Sequence, residues 1–428
     1  MLKKEIAPGF AIEIGDHDVT VIRKLAEEIA RVASLPEQKR RRDFWRNVND
    51  NRKDSIAVMV REDEIPWHEL EGFDELKFQT TAPFARTVER EFRQILFQWK
   101  HCPADMVVEP YIRSGLVILD TGFGIEASET LIQQGEGNLI HAQHYDTVIK
   151  NDSDIEKIQD PVLSHNAEMS ESFFELRKEL FGGILEVRQC GVYFSYTAPW
   201  DDMVRYWGPE QLLMDLVDRP DFVHRAISRY IGAWIARLKQ YEALNLLGFD
   251  EGAFIVGSGG YGYTGDLPGK DYDPKHVKLN NQWGFATAQL FGSVSPAMHD
   301  EFGMRHEVPL LSLFGMSYYG CCEPLHNKID MLRKIPNLRK ISVSPWADIA
   351  KSAENTGGDY VLSIKPNPAV FVGRWDPDTV RRELDETFRK TRGCAVEVIM
   401  KDISTVGHKP ENLFDWARIA VETADRYR

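Results

Sequence analysis

The chain has 428 residues, of which 43% are hydrophobic and 28% are charged, and its formal net charge is −14. This composition is ordinary for a globular protein, and the length suits two average domains or one α/β barrel with insertions. The acidic balance argues against a nucleic-acid partner, and the lack of a long apolar run or an export signal argues against membrane insertion and secretion. We therefore expect a cytoplasmic protein with a small-molecule substrate.

Short β-branched runs alternate with long helical patterns along the chain, which is typical of a parallel sheet. Residues 1–50 are predicted to form a helical extension. The predicted strands are 55–60, 106–112, 183–188, either 253–256 or 285–289, 310–319, 340–344, 360–365 and 395–400. The predicted helices between and after them are 87–99, 173–180, 209–217, 220–246, 328–334, 349–356, 378–392 and 410–426.

Residues 113–165 lack clear periodicity and are rich in Gly, Gln, His and Asp. We interpret them as an insertion over the mouth of a barrel, not as a separate domain. His141 and His144 have a ligand-like spacing within it, although such pairs are more often solvated polar residues. Eight strands alternating with helices predict a single (β/α)8 barrel domain over 1–428, in which the chemistry lies at the C-terminal ends of the strands.

The stretch 318–326, Tyr-Tyr-Gly-Cys-Cys-Glu-Pro-Leu-His, follows the fifth predicted strand. Cys321, Cys322, Glu323 and His326 carry the ligand types that zinc prefers. Adjacent cysteines are poorly placed to form a disulfide with each other. The alternative is a pair of small buried thiols at a strand end, because free cysteine is often buried. We predict a metal-thiolate site whose ligands are drawn from these four residues, three of them leaving a position open for a substrate thiol.

Gly320 decides which thiol faces the mouth. Successive side chains of a strand point to opposite faces, so both cysteines can face the barrel axis only if the strand has ended before them. Glycine adopts backbone angles that are closed to other residues. We therefore predict that Gly320 ends the strand and that Cys322 and Glu323 face the mouth, with Cys321 the less certain ligand.

Further candidates follow other strands. Lys365 and Asp402 come after the seventh and eighth predicted strands and are the candidate catalytic residues. Lys365 could anchor a carboxylate or phosphate, and Asp402 could be a general base or a metal ligand. The glycine-rich stretch 257–265 lacks the Gly-Lys-Ser/Thr of a phosphate-binding loop, so we interpret it as a mobile loop whose tyrosines cover a substrate. Tyr261 in this loop and Tyr319 at the fifth strand are the candidate cofactor-binding residues.

Three segments, 41–50, 294–302 and 409–416, resemble the opening helix, the "SP…F…EF" segment and the start of the last helix of the uroporphyrinogen decarboxylase-like superfamily. The resemblance covers most of the chain from about Gln38 onwards. The superfamily includes the decarboxylase and zinc-dependent methyltransferases that move methyl groups from corrinoid proteins to a thiol or a folate.

The chain departs from both branches. The decarboxylases carry "MRQAGRY" at the first strand, where this chain has Ile-Ala-Val-Met-Val-Arg-Glu at 56–62. The methyltransferases carry His-x-Cys-Gly after the fifth strand, where 319–323 is Tyr-Gly-Cys-Cys-Glu, and a further cysteine after the eighth. In place of that last cysteine, Asp402 and His408 are the nearest polar residues. Porphyrinogen decarboxylation is thereby disfavoured.

The resemblance implies a methyltransferase that moves a methyl group between a corrinoid protein and a thiol or folate through zinc held by thiolates. Methyl-corrinoid on a partner protein would be the donor. Two alternatives stay open: a metal-free lyase of the decarboxylase type acting on a small or tetrapyrrole carboxylate, and a non-catalytic corrinoid or tetrapyrrole binder. A homodimer is also left open.

Overall fold

The structure of the protein, a computed structural model, describes residues 1–132 and 142–428, without side chains for 129–132 and 142–144. Thus His141 and the side chain of His144 lie outside the described residues. The strands are β1 (Leu2–Ala7), β2 (Phe10–Ile14), β3 (Ile56–Val60), β4 (Tyr111–Gly115), β5 (Ile118–Asp120), β6 (Ser128–Ile132), β7 (Ala142–Asp146), β8 (Leu163–His165), β9 (Glu186–Cys190), β10 (Trp283–Ala286), β11 (Met316–Tyr319), β12 (Leu338–Val343), β13 (Val361–Ile364) and β14 (Val396–Met400).

Helices lie between and after these strands. They are α1 (Asp16–Ala33), α2 (Pro36–Asn49), α3 (Pro83–His101), α4 (Asp152–Ile155), α5 (Ala167–Phe181), α6 (Pro199–Trp207), α7 (Pro209–Asp218), α8 (Pro220–Ala243), α9 (Pro296–Met298), α10 (Arg305–Leu311), α11 (Ile329–Leu332), α12 (Ile349–Thr356), α13 (Pro377–Lys390) and α14 (Glu411–Ala424). None of the helices within the described residues is both long and apolar enough to cross a membrane.

A six-stranded parallel sheet organises the fold, in the order β10-β11-β12-β13-β14-β3. The last strand, β14, pairs with β3, the first strand of this sheet in the sequence, from Val396 opposite Ile56 to Met400 opposite Val60. β4 and β9 form a separate parallel pair. Among the described residues no ladder joins this pair to the larger sheet, so the closed (β/α)8 barrel stays a prediction.

Burial explains why these strands were predictable. Every residue of β3, β10, β11, β13 and β14 is buried. Strands covered on both faces carry continuous apolar and β-branched runs, which is the pattern on which the prediction rests. Polar side chains also lie inside the sheet: the Lys340 ammonium pairs with the Glu397 carboxylate at 2.8 Å, and neither side chain is exposed.

Many predicted boundaries differ from the structure, and in three places the type of element differs as well. The extension 1–50 opens with the antiparallel hairpin β1–β2 before its two helices. The insertion 113–165 contains the antiparallel pairs β5–β8 and β6–β7, whose alternating polar residues give no apolar run to detect. The first part of the predicted strand 310–319 completes helix α10, which ends at Leu311.

Candidate functional site

The candidate site begins where β11 ends. β11 stops at Tyr319, and Gly320 follows with φ +97°, a conformation that glycine adopts without strain. A Cβ on this residue would lie 2.5 Å from Leu325 Cδ1 and 3.0 Å from Ser342 Cβ. The prediction that Gly320 ends the strand is therefore confirmed, and the turn brings Cys321 and Cys322 over the edge of the sheet.

The two thiols form a pair with unequal acidity. Their sulfur atoms lie 3.6 Å apart, with Cys321 buried and Cys322 partly exposed. The hydrogen bond from the Cys322 thiol lowers the pKa of Cys321, and Lys401 lowers it further against the opposing effect of burial. The same hydrogen bond, together with burial, raises the pKa of Cys322. Cys321 is thus the more acidic thiol of the pair and the first to become a thiolate.

Lys401, which follows β14, supplies the nearest positive charge. Its ammonium nitrogen lies 3.9 Å from Cys321 Sγ, 2.6 Å from Asp402 Oδ2 and 4.0 Å from Glu64 Oε2. Burial opposes the charge, but the Cys321 thiolate and Asp402 outweigh it and raise the pKa of Lys401. Asp402 Oδ2 also lies 3.9 Å from Cys322 Sγ. The predicted site residues Cys321, Cys322 and Asp402 are therefore brought together around a lysine.

Sequence reasoning had not identified two further residues near this site, Tyr196, which lies within electrostatic reach of Cys321, and Asp201, which interacts with Glu323. Tyr196 is half exposed, and its ring lies 4.5 Å from that of Phe285; burial and the Cys321 thiolate raise its pKa. Asp201 accepts hydrogen bonds from the backbone and side-chain amides of Gln289, and burial raises its pKa to about 6. Lys401 did have a sequence signal, because it directly follows a predicted strand and precedes Asp402.

Glu323 turns away from the thiol sulfurs. Its carboxylate accepts hydrogen bonds from the Thr287 hydroxyl at 3.1 Å, the Ala288 amide at 3.2 Å and the Cys321 amide at 2.9 Å. The side chain is buried, and burial raises its pKa. Glu323 thus joins the end of β10 to the turn after β11, and this use of its oxygens competes with metal ligation.

His326 and the two predicted cofactor-binding tyrosines lie elsewhere. His326 Nδ1 accepts the amide of Asp348 at 3.4 Å, beside helix α12. The buried Tyr319 hydroxyl donates to Glu307 at 2.7 Å, behind the sheet. Tyr261 is buried as well, with its hydroxyl 3.4 Å from the carbonyl oxygen of Val107. The structure brings none of the three into contact with the thiol pair.

The glycine-rich loop is packed into the core. A Cβ on Gly260 would lie 2.2 Å from the ring of Trp45. The ring of Tyr261 also packs against Trp45, with centroids 5.4 Å apart, and the Tyr263 hydroxyl donates to Glu109 at 2.6 Å. The loop therefore forms part of the interior, where neither tyrosine covers the candidate site.

Lys365 lies below the mouth. Its ammonium nitrogen donates to Ser342 Oγ at 2.9 Å and to the carbonyl and hydroxyl oxygens of Ser363 at 2.9 and 2.8 Å, and it also contacts the Tyr318 hydroxyl. Burial lowers the pKa of Lys365 to about 7, although Glu397 opposes this change. The amine therefore titrates near neutral pH, and its hydrogen-bonding capacity is already used.

Zinc does not fit this arrangement. Within residues 1–132 and 142–428, no group of three or more His, Cys, Asp and Glu side chains could hold a metal ion. Two reasons are visible: the Asp402 carboxylate already binds the Lys401 ammonium, and Glu323 is held by three hydrogen-bond donors. The predicted ligands are therefore not brought together as a zinc site within the described residues.

No protein-family model and no curated protein sequence matches the chain. Among solved structures, the chain is similar to a methyltransferase from Methanosarcina mazei. The likeness covers 71% of this chain and 76% of that one, with 12% sequence identity and a TM-score of 0.37. At this level it carries no argument about function.

Proposed function

We propose that this protein is a methyltransferase whose reaction centre is the thiol pair Cys321 and Cys322. The observation that supports the proposal is the setting of Cys321, whose sulfur accepts the Cys322 hydrogen bond and lies 3.9 Å from Lys401. The thiolate, not the thiol, is the nucleophile, and a neighbouring cation increases its population at neutral pH. That the transferred group is a methyl group is inferred from the resemblance to the superfamily described above.

The reaction would take place in two displacements. The Cys321 sulfur attacks the methyl carbon of an electrophilic donor, forming an S–C bond while the bond to the donor breaks and the donor keeps the electron pair. An acceptor thiolate then attacks the same carbon, and Cys321 leaves as a thiolate. A lowered pKa makes a sulfur a better leaving group, and Lys401 would stabilise the negative charge as it forms.

The partners in this proposal are those that the resemblance implies. The donor is a methyl-corrinoid carried by a second protein, and the acceptor is a thiol or a folate. Zinc has no place in the proposal because the described residues do not assemble its ligands.

The lyase alternative is less well supported. A carboxylate substrate needs a free cation, but Arg61 already binds Asp63, and Lys401 binds Asp402. Lys365 is buried among the Ser342 and Ser363 hydroxyls. The mouth therefore favours a thiolate nucleophile over recognition of an acidic substrate.

Methyl transfer to the protein tests the proposal directly. The full chain would be incubated with methylcobalamin, quenched with acid and digested, and the peptide containing both thiols analysed by mass spectrometry. We expect one added methyl group on Cys321. The modification should be absent in Cys321→Ser and present in Cys190→Ser, which replaces a control thiol at the end of β9. Loss of the donor's methyl group without modification of Cys321 would exclude it as the acceptor.

A further inference from the structure

A second cleft lies outside the thiol site, on the side of the fold where α1, α3 and the end of α5 approach β4. Its volume is about 340 Å³, within the usual range for small-molecule sites. Apolar side chains and charged side chains both line it, and the lining includes none of Cys321, Cys322, Lys401 and Lys365. The apolar part is formed by Ile29, Val88, Phe92, Ile95 and Phe181.

Two carboxylates in this cleft have no partner. Within the described residues, the carboxylates of Glu62 and Glu91 make no hydrogen bond and no ion pair, although solvent reaches both through the cleft. Burial by the surrounding walls raises the pKa of each. Both residues are exposed to solvent, so water hydrates these carboxylates, and an ammonium group with three N–H donors could take the place of that water.

A guanidinium of the same lining is also unpaired. Arg177 on α5 lies over the rings of Phe84 and Phe173, at 5.6 and 6.0 Å, but in the described structure it has no hydrogen bond and no ion pair. The neighbouring Arg113 differs, because it binds the Asp250 carboxylate at 2.7 Å. Arg177 and Glu91 attract each other electrostatically without a hydrogen bond. The guanidinium N–H groups thus stay available for an anionic group, and guanidinium matches a carboxylate in a bidentate geometry.

From these features we propose that the cleft binds a small α-amino acid with an apolar side chain. Its ammonium group would lie against Glu62 and Glu91, its carboxylate against Arg177, and its side chain against Val88 and Phe92. Both signs of unpaired charge beside an apolar wall suit a zwitterion better than a simple cation or anion. This site is independent of the proposed methyl transfer.

Arg61 and Glu62 show how the two sites adjoin. Arg61 binds Asp63 and lies 3.2 Å from Glu64, which in turn lies 4.0 Å from the Lys401 ammonium at the thiol site. The next residue, Glu62, lines the cleft. A ligand that contacts Glu62 would therefore lie one residue along the chain from Arg61, which is linked through Glu64 to Lys401, without touching the thiols.

Isothermal titration calorimetry of the full chain with three matched probes tests the proposal. L-leucine carries both charges, L-leucinamide keeps only the ammonium, and 4-methylpentanoate keeps only the carboxylate. We expect leucine to bind about tenfold or more tightly than either analogue, because each lost charged hydrogen bond costs about 1.5–3 kcal/mol. Absence of leucine binding, or equally tight binding of leucinamide, would overturn the proposal.

Three variants separate specific recognition from a structural effect. Arg177→Gln should weaken leucine about tenfold and leave leucinamide unchanged, whereas Glu62→Gln and Glu91→Gln should weaken both. Glu179→Gln, an exposed position on the same helix as Arg177, should bind all probes as the wild type does. If every variant weakened all three probes alike, the cleft residues would be structural and the proposal wrong.

One cross-check keeps the two proposals apart. Cys321→Ser should bind leucine with unchanged affinity whether or not methyl transfer occurs at that sulfur. Equal leucine affinities in the wild type and Cys321→Ser would support the separation of the two sites, and a large loss in the variant would contradict it.

Discussion

The Lys401 ammonium lies 3.9 Å from the Cys321 sulfur, although the two residues follow strands that are three places apart in the sheet. In a flat sheet such strands would be about 14 Å apart, given the usual spacing of neighbouring strands. The contact therefore depends on curvature, which tilts the carboxyl ends of β11 and β14 towards each other. The acidity of Cys321 is a consequence of the fold and not of its sequence neighbours alone.

Replacing Lys401 should make Cys321 less acidic. In Lys401→Met the thiolate loses its nearest cation, and we expect the pKa of Cys321 to rise by about one unit or more. The rate of alkylation by iodoacetamide, followed at the Cys321 peptide as a function of pH, would then have its midpoint at higher pH. Lys409→Met, at an exposed position in the same loop, is the control. Equal midpoint pH values in the two variants would show that Lys401 does not lower the pKa of Cys321.

Strand ends were predictable, but the directions of the side chains beyond them were not. Continuous apolar runs identify β13 and β14, and Asp402 follows from the rule that chemistry lies at such ends. Two apolar runs competed for the fourth strand; the structure has β10 at Trp283–Ala286, whereas Ile255 makes only an isolated bridge to Tyr261. A short apolar run alone cannot distinguish these outcomes, because both bury their side chains.

The predicted metal ligands likewise depended on side-chain directions that the sequence does not determine locally. Glu323 and His326 are close to the cysteines in sequence, yet the chain direction after Gly320 sends Glu323 to Thr287 and His326 to Asp348. Residue types predicted that polar groups would gather here. Which of them meet depends on contacts between residues far apart in sequence, as the pair formed by residues 321 and 401 illustrates.

Gly320→Ala should disrupt the site as well as the fold. Its φ of +97° is unfavourable for alanine, and the new Cβ would lie 2.5 Å from Leu325 Cδ1. We expect a loss of about 2–4 kcal/mol in the free energy of unfolding, measured by urea denaturation, together with slower alkylation of Cys321.

Gly373→Ala separates backbone strain from steric overlap. Gly373 has φ +117°, but nothing lies within 4 Å of its Cβ position. The Gly373→Ala variant should lose only about 1–2 kcal/mol in the free energy of unfolding, which is the cost of backbone strain alone. Its Cys321 should be alkylated at the rate of the wild type. Equal losses in the two variants would mean that the contact with Leu325 adds nothing.

Glu307 should make stability depend on pH. Burial raises its pKa to about 8 from 4.5, and the Tyr319 hydroxyl donates to it at 2.7 Å. The folded state holds the proton more tightly than the unfolded state, so the free energy of unfolding falls as pH rises from 4.5 to about 8. Glu307→Gln, which keeps a carbonyl oxygen for Tyr319, removes this titration.

Urea denaturation at several pH values would measure the effect. We expect the wild type to lose about 4 kcal/mol relative to Glu307→Gln between the ends of this range, most of it below about pH 7. Glu354→Gln, at an exposed position on α12, should keep the slope of the wild type. Parallel curves for Glu307→Gln and the wild type would show that Glu307 does not titrate in this range.

The buried pair of Lys340 and Glu397 offers a double-mutant cycle. Neither side chain is exposed, and Glu397 also accepts hydrogen bonds from Ser363 at 2.5 Å and from the Gly260 amide at 3.2 Å. Lys340→Met leaves the carboxylate without its cation, which should cost about 3–5 kcal/mol in the free energy of unfolding.

The double variant Lys340→Met with Glu397→Met should lose less than the sum of its two single variants, because no unpaired charge is then buried at either position. Urea denaturation of all four proteins gives the coupling energy. Arg418→Met, which breaks the exposed pair of Arg418 with Glu422, should cost about 1 kcal/mol or less, because solvent screens that pair. Additive losses in the buried cycle would show that the two residues stabilise the fold independently, Glu397 through Ser363 and Gly260 and Lys340 through the Tyr261 carbonyl.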